Sequence, residues 1–280
     1  MSIVKNIFKK YQTRPTKSLG QNFLVDKFAL FKVISASDLK PQDIVLEIGP
    51  GTGVLTKELA KKAAKVIAVE KDERLLRILN TELGIQNVKF IHADILKLNP
   101  KRYTLYPYKV VSNLPFYLTA PVIRKFLESE VQPELMVFVV QKEVAQRICA
   151  KPPKMNLLAV SVQFYADPKI ISYIPKKSFW PRPKVDSAIL RITPLIDADS
   201  PPHQIWCRGK LIDADLFFKV VRAGFSQPRK QLVNNLSKGL KFNKEEVVAL
   251  LSQNNIKSEQ RAETLTLENW RALAKSAIVK

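Results

Sequence analysis

The sequence predicts an α/β domain, in which helices cover both faces of a mainly parallel sheet, followed by a small all-helical domain. Between residues 44 and 192, short apolar runs alternate with segments of helical spacing, and this alternation is typical of βαβ units. A proline-rich stretch at 194–204 interrupts the pattern, and amphipathic segments follow it. Because prolines and small polar residues break regular structure, we predict two domains, at 1–195 and 196–280.

Each predicted strand is a short apolar run bounded by polar or turn-forming residues. The seven runs are Ile44–Ile48, Val66–Val69, Val88–Ile91, Val110–Val111, Met136–Val140, Val160–Phe164 and Val185–Ile192. The last two runs have little helix between them, which predicts a closing hairpin. The predicted helices show amphipathic spacing; they are Val54–Ala63, Arg74–Leu83, Pro121–Leu127, Lys142–Ile148, 216–236, 244–255 and 266–278.

The chain is strongly basic, with 46 Lys and Arg against 25 Asp and Glu, a net charge of +21 and a pI near 9.9. Such an excess attracts polyanions. The basic residues concentrate in 1–40 and in 142–191, and these two stretches predict one basic surface around a site. A merely soluble lysine-rich surface is the alternative, but we favour a nucleic-acid partner.

Several classes of protein are excluded by what the chain contains. No apolar run approaches the roughly 20 residues that a membrane helix needs, and the N-terminus has no apolar core of signal-peptide length. The two cysteines and two histidines, Cys149, Cys207, His92 and His203, have no zinc-ligand spacing. We therefore expect a cytoplasmic monomer with reduced thiols, no metal and no membrane partner.

A glycine-rich loop follows the first predicted strand, in the segment VLEIGPGTGVLT at residues 45–56. Gly49, Gly51 and Gly53 alternate there in a chain that has only eight glycines, so a ligand can lie directly against this backbone. The dinucleotide pattern G-x-G-x-x-G differs from this G-x-G-x-G spacing. NAD remains open, but S-adenosylmethionine explains the loop better because it has no pyrophosphate.

Two carboxylates follow the next two predicted strands. Glu70 ends the second strand, nineteen residues after Gly51, where an acid can accept both hydroxyls of a ribose. Asp94 follows the third strand. An aspartate after a strand is often only a helix cap, but its position beside Glu70 predicts that it accepts the amino group of the cofactor's adenine.

The segment SNLPFY, residues 112–117, ends the fourth predicted strand on the same edge of the sheet. The Asn113 side-chain oxygen and a nearby backbone carbonyl supply two acceptors for an exocyclic amino group, and Pro115 cannot donate. Phe116 can stack on the ring that bears this amine. Methyl transfer needs alignment more than a strong base, so the segment predicts a site that presents an aromatic amine for methylation.

The motifs of the chain resemble those of the ribosomal RNA adenine-N6,N6-dimethyltransferases, specifically the bacterial small-subunit type. The resemblance implies the Rossmann-like, seven-stranded class I S-adenosylmethionine-dependent methyltransferase fold with a small helical C-terminal domain. The matching segments run from end to end: KSLGQNFLVD at 17–26, EIGPGTGVLT at 47–56, SNLPFY at 112–117, QKEVAQR at 141–147, SFWPRPKVDSAILRI at 178–192, FSQPRKQLVNNL at 225–236 and RAETLTLENW at 261–270.

The resemblance also implies roles for individual residues. The cofactor would contact the N-terminal residues Asn22 and Leu24 and the loop and strand-end positions Gly49, Glu70, Asp94 and Asn113. The target adenine would be held by Asn113, Leu114 and Phe116, and Phe179 would lie near the target base. Phe116 stands where the family usually has Tyr, and Asn156-Leu157-Leu158 replace a common Tyr-Gly pair.

The family's substrates would be two adjacent adenosines near the 3′ end of 16S rRNA in the 30S particle, methylated with S-adenosylmethionine. The large-subunit adenine methyltransferases of macrolide resistance are an alternative, although 225–236 and KVDSAILRI match the small-subunit type better. A DNA adenine methyltransferase would show Asp/Asn-Pro-Pro-Tyr, which is absent. A non-catalytic RNA-binding assembly factor on the same scaffold is the alternative from another class.

Overall fold

The structure is a computed structural model that describes residues 3–99, 107–195, 204–207 and 210–277. The chain divides into two compact units. The first comprises Met1–Ala145 and Pro168–Pro194, and the second comprises Gln146–Asp167 and Leu195–Lys280. Most of the predicted linker at 194–204 lies outside the described residues. The predicted assignment of catalysis to 1–195 and of RNA binding to 196–280 stays a prediction.

A seven-stranded sheet forms the centre of the first unit, and it confirms the predicted α/β fold class. The strands in the chain are β1 (Phe23–Leu24), β2 (Ile44–Ile48), β3 (Lys65–Glu70), β4 (Val88–His92), β5 (Lys109–Asn113), β6 (Leu135–Gln141), β7 (Ala166–Ile174), β8 (Phe179–Trp180) and β9 (Ser187–Pro194). The sheet order is β4-β3-β2-β5-β6-β9-β7, with β2 to β6 parallel and β9 antiparallel to β6. The small strands β1 and β8 pair with each other.

Four helices of the first unit follow the alternation predicted from the sequence, and two further helices before residue 44 were not predicted. The helices are α1 (Ile3–Lys10), α2 (Lys27–Ala36), α3 (Val54–Ala60), α4 (Glu73–Glu82), α5 (Thr119–Leu127) and α6 (Lys142–Ile148), the last of which begins in this unit and ends in the second. Aspartates begin two of these helices: the carboxylate of Asp26 accepts from the backbone of α2, and that of Asp72 accepts from Arg74 N–H in α4.

The register of the central strands places their carboxyl ends side by side. Ile48 in β2 lies opposite Val69 in β3, and Glu47 lies opposite Val111 in β5. These strands are apolar along their length because helices cover both faces of the sheet. The polar residues that follow the strands are therefore collected at one edge, which is where open α/β sheets bind ligands.

The second unit contains five helices in the described ranges: α7 (Leu157–Tyr165), α8 (Ala214–Gly224), α9 (Leu232–Leu240), α10 (Lys244–Gln253) and α11 (Leu267–Ser276). A short antiparallel hairpin, β10 (Gln204–Cys207) with β11 (Lys210–Asp213), precedes α8 and was not predicted. Phe164 of α7 stacks on Phe217 of α8 with 4.1 Å between ring centroids. None of the helices in the described ranges of the chain has the length and apolarity to span a bilayer.

One predicted strand is wrong. Val160–Phe164 belongs to α7, where the Asn156 side chain accepts a hydrogen bond from Ala159 N–H at 3.1 Å and begins the helix. Within the run, the apolar residues Val160, Val162 and Phe164 alternate with Ser161 and Gln163, which is the period-2 pattern of a strand, but the segment is helical with these three apolar side chains buried. The first strand of the predicted closing hairpin is instead β7, in which exposed residues alternate with partly buried ones.

The predicted helix at 216–236 is two helices. α8 ends at Gly224 and α9 begins at Leu232. The side-chain amide of Asn235 donates to the carbonyls of Gly224 and Gln227, at 2.6 and 3.0 Å, and so holds the connecting turn against α9. Pro228 in this turn cannot continue a helical hydrogen-bond ladder.

Candidate active site

A cleft of about 780 Å³ opens at the carboxyl edge of β2, β3, β4 and β5. The segment 19–23 lies along one side of the cleft, and the glycine loop forms its base. Eight of the ten site residues predicted from the sequence line this cleft: Asn22, Gly49, Gly51, Glu70, Asp94, Asn113, Leu114 and Phe116. Residues that are far apart in the chain therefore meet because their strands end at one edge.

The glycine loop requires glycine for two separate reasons. Gly51 has a φ of +62°, and a Cβ atom there would lie 2.7 Å from Cε1 of Phe23. Gly53 has a φ of +76°, and its Cβ would lie 2.2 Å from Cδ1 of Leu83. Side-chain-bearing residues rarely adopt this left-handed conformation, so the loop brings bare backbone to the floor of the cleft.

Glu70 is tied to the glycine loop through its carboxylate. Gly51 N–H donates to Oε2 at 3.2 Å, and Asp72 N–H donates to Oε1 at 2.8 Å. Burial raises the pKa of Glu70 above its usual value. Each carboxylate oxygen retains a further lone pair, so Glu70 has the capacity to accept the hydroxyls of a ribose in the cleft.

Asp94 also lines the cleft and carries a negative charge. Lys71 Nζ lies 2.9 Å from Oδ2, and Leu96 N–H donates to Oδ1 at 3.0 Å. The hydrogen bond from Lys71 holds the pKa of Asp94 below its usual value. Asp94 is therefore ionised and can accept a hydrogen bond from an amino group.

The Asn113 amide has a defined orientation. Its Nδ2 donates to the backbone carbonyl of Asn22 at 2.8 Å, and this leaves Oδ1 as an acceptor. Asn22 is held in turn, because its own Nδ2 donates to the Gly20 carbonyl at 3.1 Å. Leu114 N–H donates to the Val139 carbonyl at 3.2 Å and anchors the backbone after β5. The segment after β5 is thus fixed on two sides.

Phe116 follows a proline turn and is only partly buried. It begins a short 3-10 helix, Phe116–Leu118, in which Leu118 N–H donates to the Pro115 carbonyl at 2.9 Å. Its ring faces both the cleft and a second, adjoining groove. A half-buried aromatic beside an oriented amide is suited to stack on a planar ring.

Leu24 and Phe179 are not among the described residues that line the cleft. They are opposite each other in the β1–β8 pair, and both are buried, with 7% and 4% of their surface exposed. Leu24 borders a smaller cavity of about 420 Å³ behind the loop. The neighbour of Phe179, Trp180, faces the adjoining groove instead. The roles predicted for Leu24 and Phe179 stay predictions.

The sequence reasoning missed four polar residues in or behind the cleft. Gln21, Lys71 and Tyr117 line it. Glu47 lies beneath it, 1% exposed, and its Oε2 has no partner among the described residues. Burial raises the pKa of Glu47 to about 8, and the nearby charge of Glu70 adds to the rise. Only Glu47 had a signal, because an acid in an apolar strand directly before a glycine loop is unusual.

The fold and this cleft together define a class I S-adenosylmethionine-dependent methyltransferase. Glu70 and Asp94 both line the cleft, and glycine at position 51 leaves room for the Phe23 ring that also lines it, so the residues present fit this cofactor. The family model for ribosomal RNA adenine dimethylase matches residues 12–276. The chain belongs to the ribosomal RNA adenine dimethylase family. It is accordingly an S-adenosylmethionine-dependent rRNA adenine dimethyltransferase.

Curated proteins and solved structures resemble the chain over most of its length. The ribosomal RNA small subunit methyltransferase A of Dehalococcoides mccartyi is 45% identical over 98% of this chain and 92% of its own. The protein of the same description from Alkaliphilus metalliredigens is 38% identical over 100% and 97%. A dimethyladenosine transferase from Plasmodium falciparum is 25% identical with a TM-score of 0.72, covering 89% of this chain and 94% of its own. The 23S rRNA methyltransferase ErmE shares the fold at 24% identity and a TM-score of 0.72, covering 91% and 99%.

Proposed function

We propose that this protein dimethylates the N6 amino groups of two adjacent adenosines near the 3′ end of 16S rRNA, acting on the 30S particle in the cytoplasm. The observation that carries the proposal is the oriented Asn113 amide, whose Oδ1 is available at the edge of the cleft. The small-subunit assignment is supported by curated relatives that are 38–45% identical over nearly the whole chain. ErmE shares only the fold at its 24% identity.

The cofactor would be held by the two carboxylates that line the cleft. Glu70 would accept the ribose hydroxyls, and Asp94 would accept the adenine amino group. Asn22, Leu24, Gly49 and Gly51 would border the remainder of the cofactor. When bound, S-adenosylmethionine supplies a methyl group on a positively charged sulfur, which is a reactive electrophile with a neutral leaving group.

The target adenosine would leave its stack and enter the cleft beside Asn113. Asn113 Oδ1 and the Leu114 carbonyl would accept the two N6 hydrogens, and Phe116 would stack on the purine ring. Holding both hydrogens turns the nitrogen lone pair out of conjugation with the ring and directs it into the cleft. In the second round one N–H remains, so only one acceptor is used and the stacking contact contributes relatively more to positioning.

The second unit would grip the RNA backbone. Arg229 and Lys230 are exposed in the turn between α8 and α9, where their charges are available to phosphates. We propose that residues 196–280 supply this binding, that residues 1–195 supply the chemistry, and that the enzyme acts as a monomer without a metal ion.

A labelling experiment tests the proposal. Radiolabelled S-adenosylmethionine is incubated with the enzyme and undermodified 30S subunits, 50S subunits or duplex DNA in parallel. We expect label on N6 of adenosines in 30S rRNA, and N6,N6-dimethyladenosine after digestion. Label mainly on 50S subunits would favour the large-subunit activity, and absence of transfer to any substrate would favour a non-catalytic assembly factor.

A further inference from the structure

A second groove, of about 1840 Å³, adjoins the cleft within the first unit. Six basic side chains line it, and no acidic residue is among the described residues that do so. They come from two separate stretches of the chain: Lys5, Lys9, Arg14 and Lys17 on one side, and Arg182 and Lys184 on the other. All six are exposed. The two basic stretches predicted from the sequence therefore contribute to one surface.

The two walls of this groove are joined by aromatic packing. The Phe8 ring lies 5.3 Å from the ring of Trp180 and 5.2 Å from that of Phe23, measured between centroids. On α1, Val4, Ile7 and Phe8 are buried, so the helix has its lysines on the outer face. Because the apolar face of α1 packs in the core, the backbone that carries its lysines is held in place.

The groove leads to the point where the target amine would be held. Gly20, Gln21, Asn22 and Phe116 line both the groove and the cleft. Trp180 also faces the groove and is only partly buried. A polyanion that follows the basic walls would thus arrive at Phe116 and at the Asn22 carbonyl, which orients Asn113.

We propose that this groove holds the single-stranded RNA next to the flipped adenosine, with its phosphates against the six basic side chains and one neighbouring base stacked on Trp180. This inference rests on the proposed function. Basic side chains interleaved with aromatic rings are the arrangement that binds single-stranded nucleic acid. The phosphates interact with the basic side chains, and the bases stack on the faces of the aromatic rings. A base-paired duplex offers no ring face to Trp180, since its bases are stacked inside the helix.

The first test neutralises four groove residues together, in the variant Lys9→Gln, Arg14→Gln, Arg182→Gln and Lys184→Gln. A matched control carries Lys40→Gln, Lys61→Gln, Lys62→Gln and Lys65→Gln. These four are exposed and lie before β2 or β3 or, for Lys65, at the first residue of β3, so they are at the opposite edge of the sheet from the cleft. Both variants lower the net charge by four, so a difference between them reports position and not total charge.

We expect the groove variant to raise KM for undermodified 30S subunits at least roughly tenfold, with the Kd for S-adenosylmethionine unchanged. The slope of log affinity against log salt for a single-stranded RNA 12-mer should fall by roughly 2 to 3, at about 0.7 per phosphate contact. The control should match the wild type. Equal effects in both variants, or none in the groove variant, would overturn the inference while wild-type transfer to 30S subunits still upheld the proposed function.

Binding of competing ligands tests the chemistry of the occupant. The RNA 12-mer, the same sequence as a duplex, and a poly-glutamate peptide of equal charge are titrated against wild type and the groove variant. We expect the single strand to bind tightest and to lose most in the variant. Trp180→Phe should keep this preference and Trp180→Leu should reduce it about tenfold, with the melting temperatures of both variants checked. Tighter groove-dependent binding of the duplex or the peptide would refute a single-stranded RNA occupant.

Discussion

At the scale of single residues, Asn113 connects two distant parts of the site. Its amide NH2 donates a hydrogen bond to the Asn22 carbonyl, so the amide oxygen is held in one orientation. Catalysis by such a group depends on a preformed geometry, because an acceptor that must first reorient loses part of its advantage. Under the proposed function Asn113 positions the target, so its replacement should affect turnover more than cofactor binding.

We expect Asn113→Ala to lower kcat by roughly 100-fold or more. The Kd for S-adenosylmethionine, measured by calorimetry, should change less than about threefold, because Glu70 and Asp94 remain. Asn113→Asp is the informative companion: it keeps an acceptor oxygen but places a carboxylate against the Asn22 carbonyl, so it should not restore turnover. An alanine variant with wild-type turnover would show that the amide does not hold the substrate.

Glu47 makes stability depend on pH. Its pKa in the folded protein is about 8, whereas an exposed glutamate titrates near 4.3. The folded state therefore binds more protons than the unfolded state between these values, and the free energy of unfolding falls as pH rises through that window. The upper limit of this slope is about 1.4 kcal/mol per pH unit.

Glu47→Gln should flatten this dependence. The glutamine stays neutral, so the variant should be more stable than the wild type at pH 9 and close to it at pH 5. Calorimetric melting temperatures from pH 5 to 9 would measure the difference. Parallel curves for the two proteins would mean that Glu47 does not titrate in this window in the folded state.

At the scale of elements, the N-terminal segment is held beside the cleft by α4. Asp72 caps α4, and its carboxylate also accepts from Gln21 Nε2 at 3.0 Å and from Arg74 Nη2 at 2.8 Å. Arg74 donates in addition to the hydroxyl of Thr16. The same Asp72 donates its N–H to Glu70. The short turn at Asp72 thus joins Glu70 to the N-terminal segment that supports Asn113.

Gln21→Ala should release this segment without removing the α4 cap. Its side chain makes two hydrogen bonds, to Asp72 and from Thr16 N–H at 2.7 Å, and losing them should raise the Kd for S-adenosylmethionine roughly tenfold, equivalent to about 1.4 kcal/mol. Lys10→Gln is the control, because it removes only surface contacts away from Gln21: the exposed Lys10–Glu82 pair at 2.6 Å and the position of Nζ over the Tyr11 ring. If both variants bound the cofactor like the wild type, the hydrogen bonds of Gln21 would not contribute to cofactor binding.

At the scale of the whole molecule, the effect of the net charge of +21 depends on where the basic residues lie. Lysines at the amino ends of the strands add to solubility and to the long-range attraction of polyanions. The basic residues beside the cleft instead line the second groove together with aromatic residues. Only the second group can select for single-stranded RNA. The total charge alone predicts that the protein attracts polyanions. The distribution of the basic residues predicts where on the protein a bound RNA strand lies.

The sequence by itself determined six of the seven strands of the sheet, the glycine loop and the strand-end positions Glu70, Asp94 and Asn113. These follow from local periodicity and from one rule, that parallel strands end at a shared edge. The tertiary structure alone decided that 160–164 is helix and that Asn22 orients Asn113 across 91 residues of sequence. Local patterns cannot specify such contacts, because they depend on which buried surfaces pack together once the chain has folded.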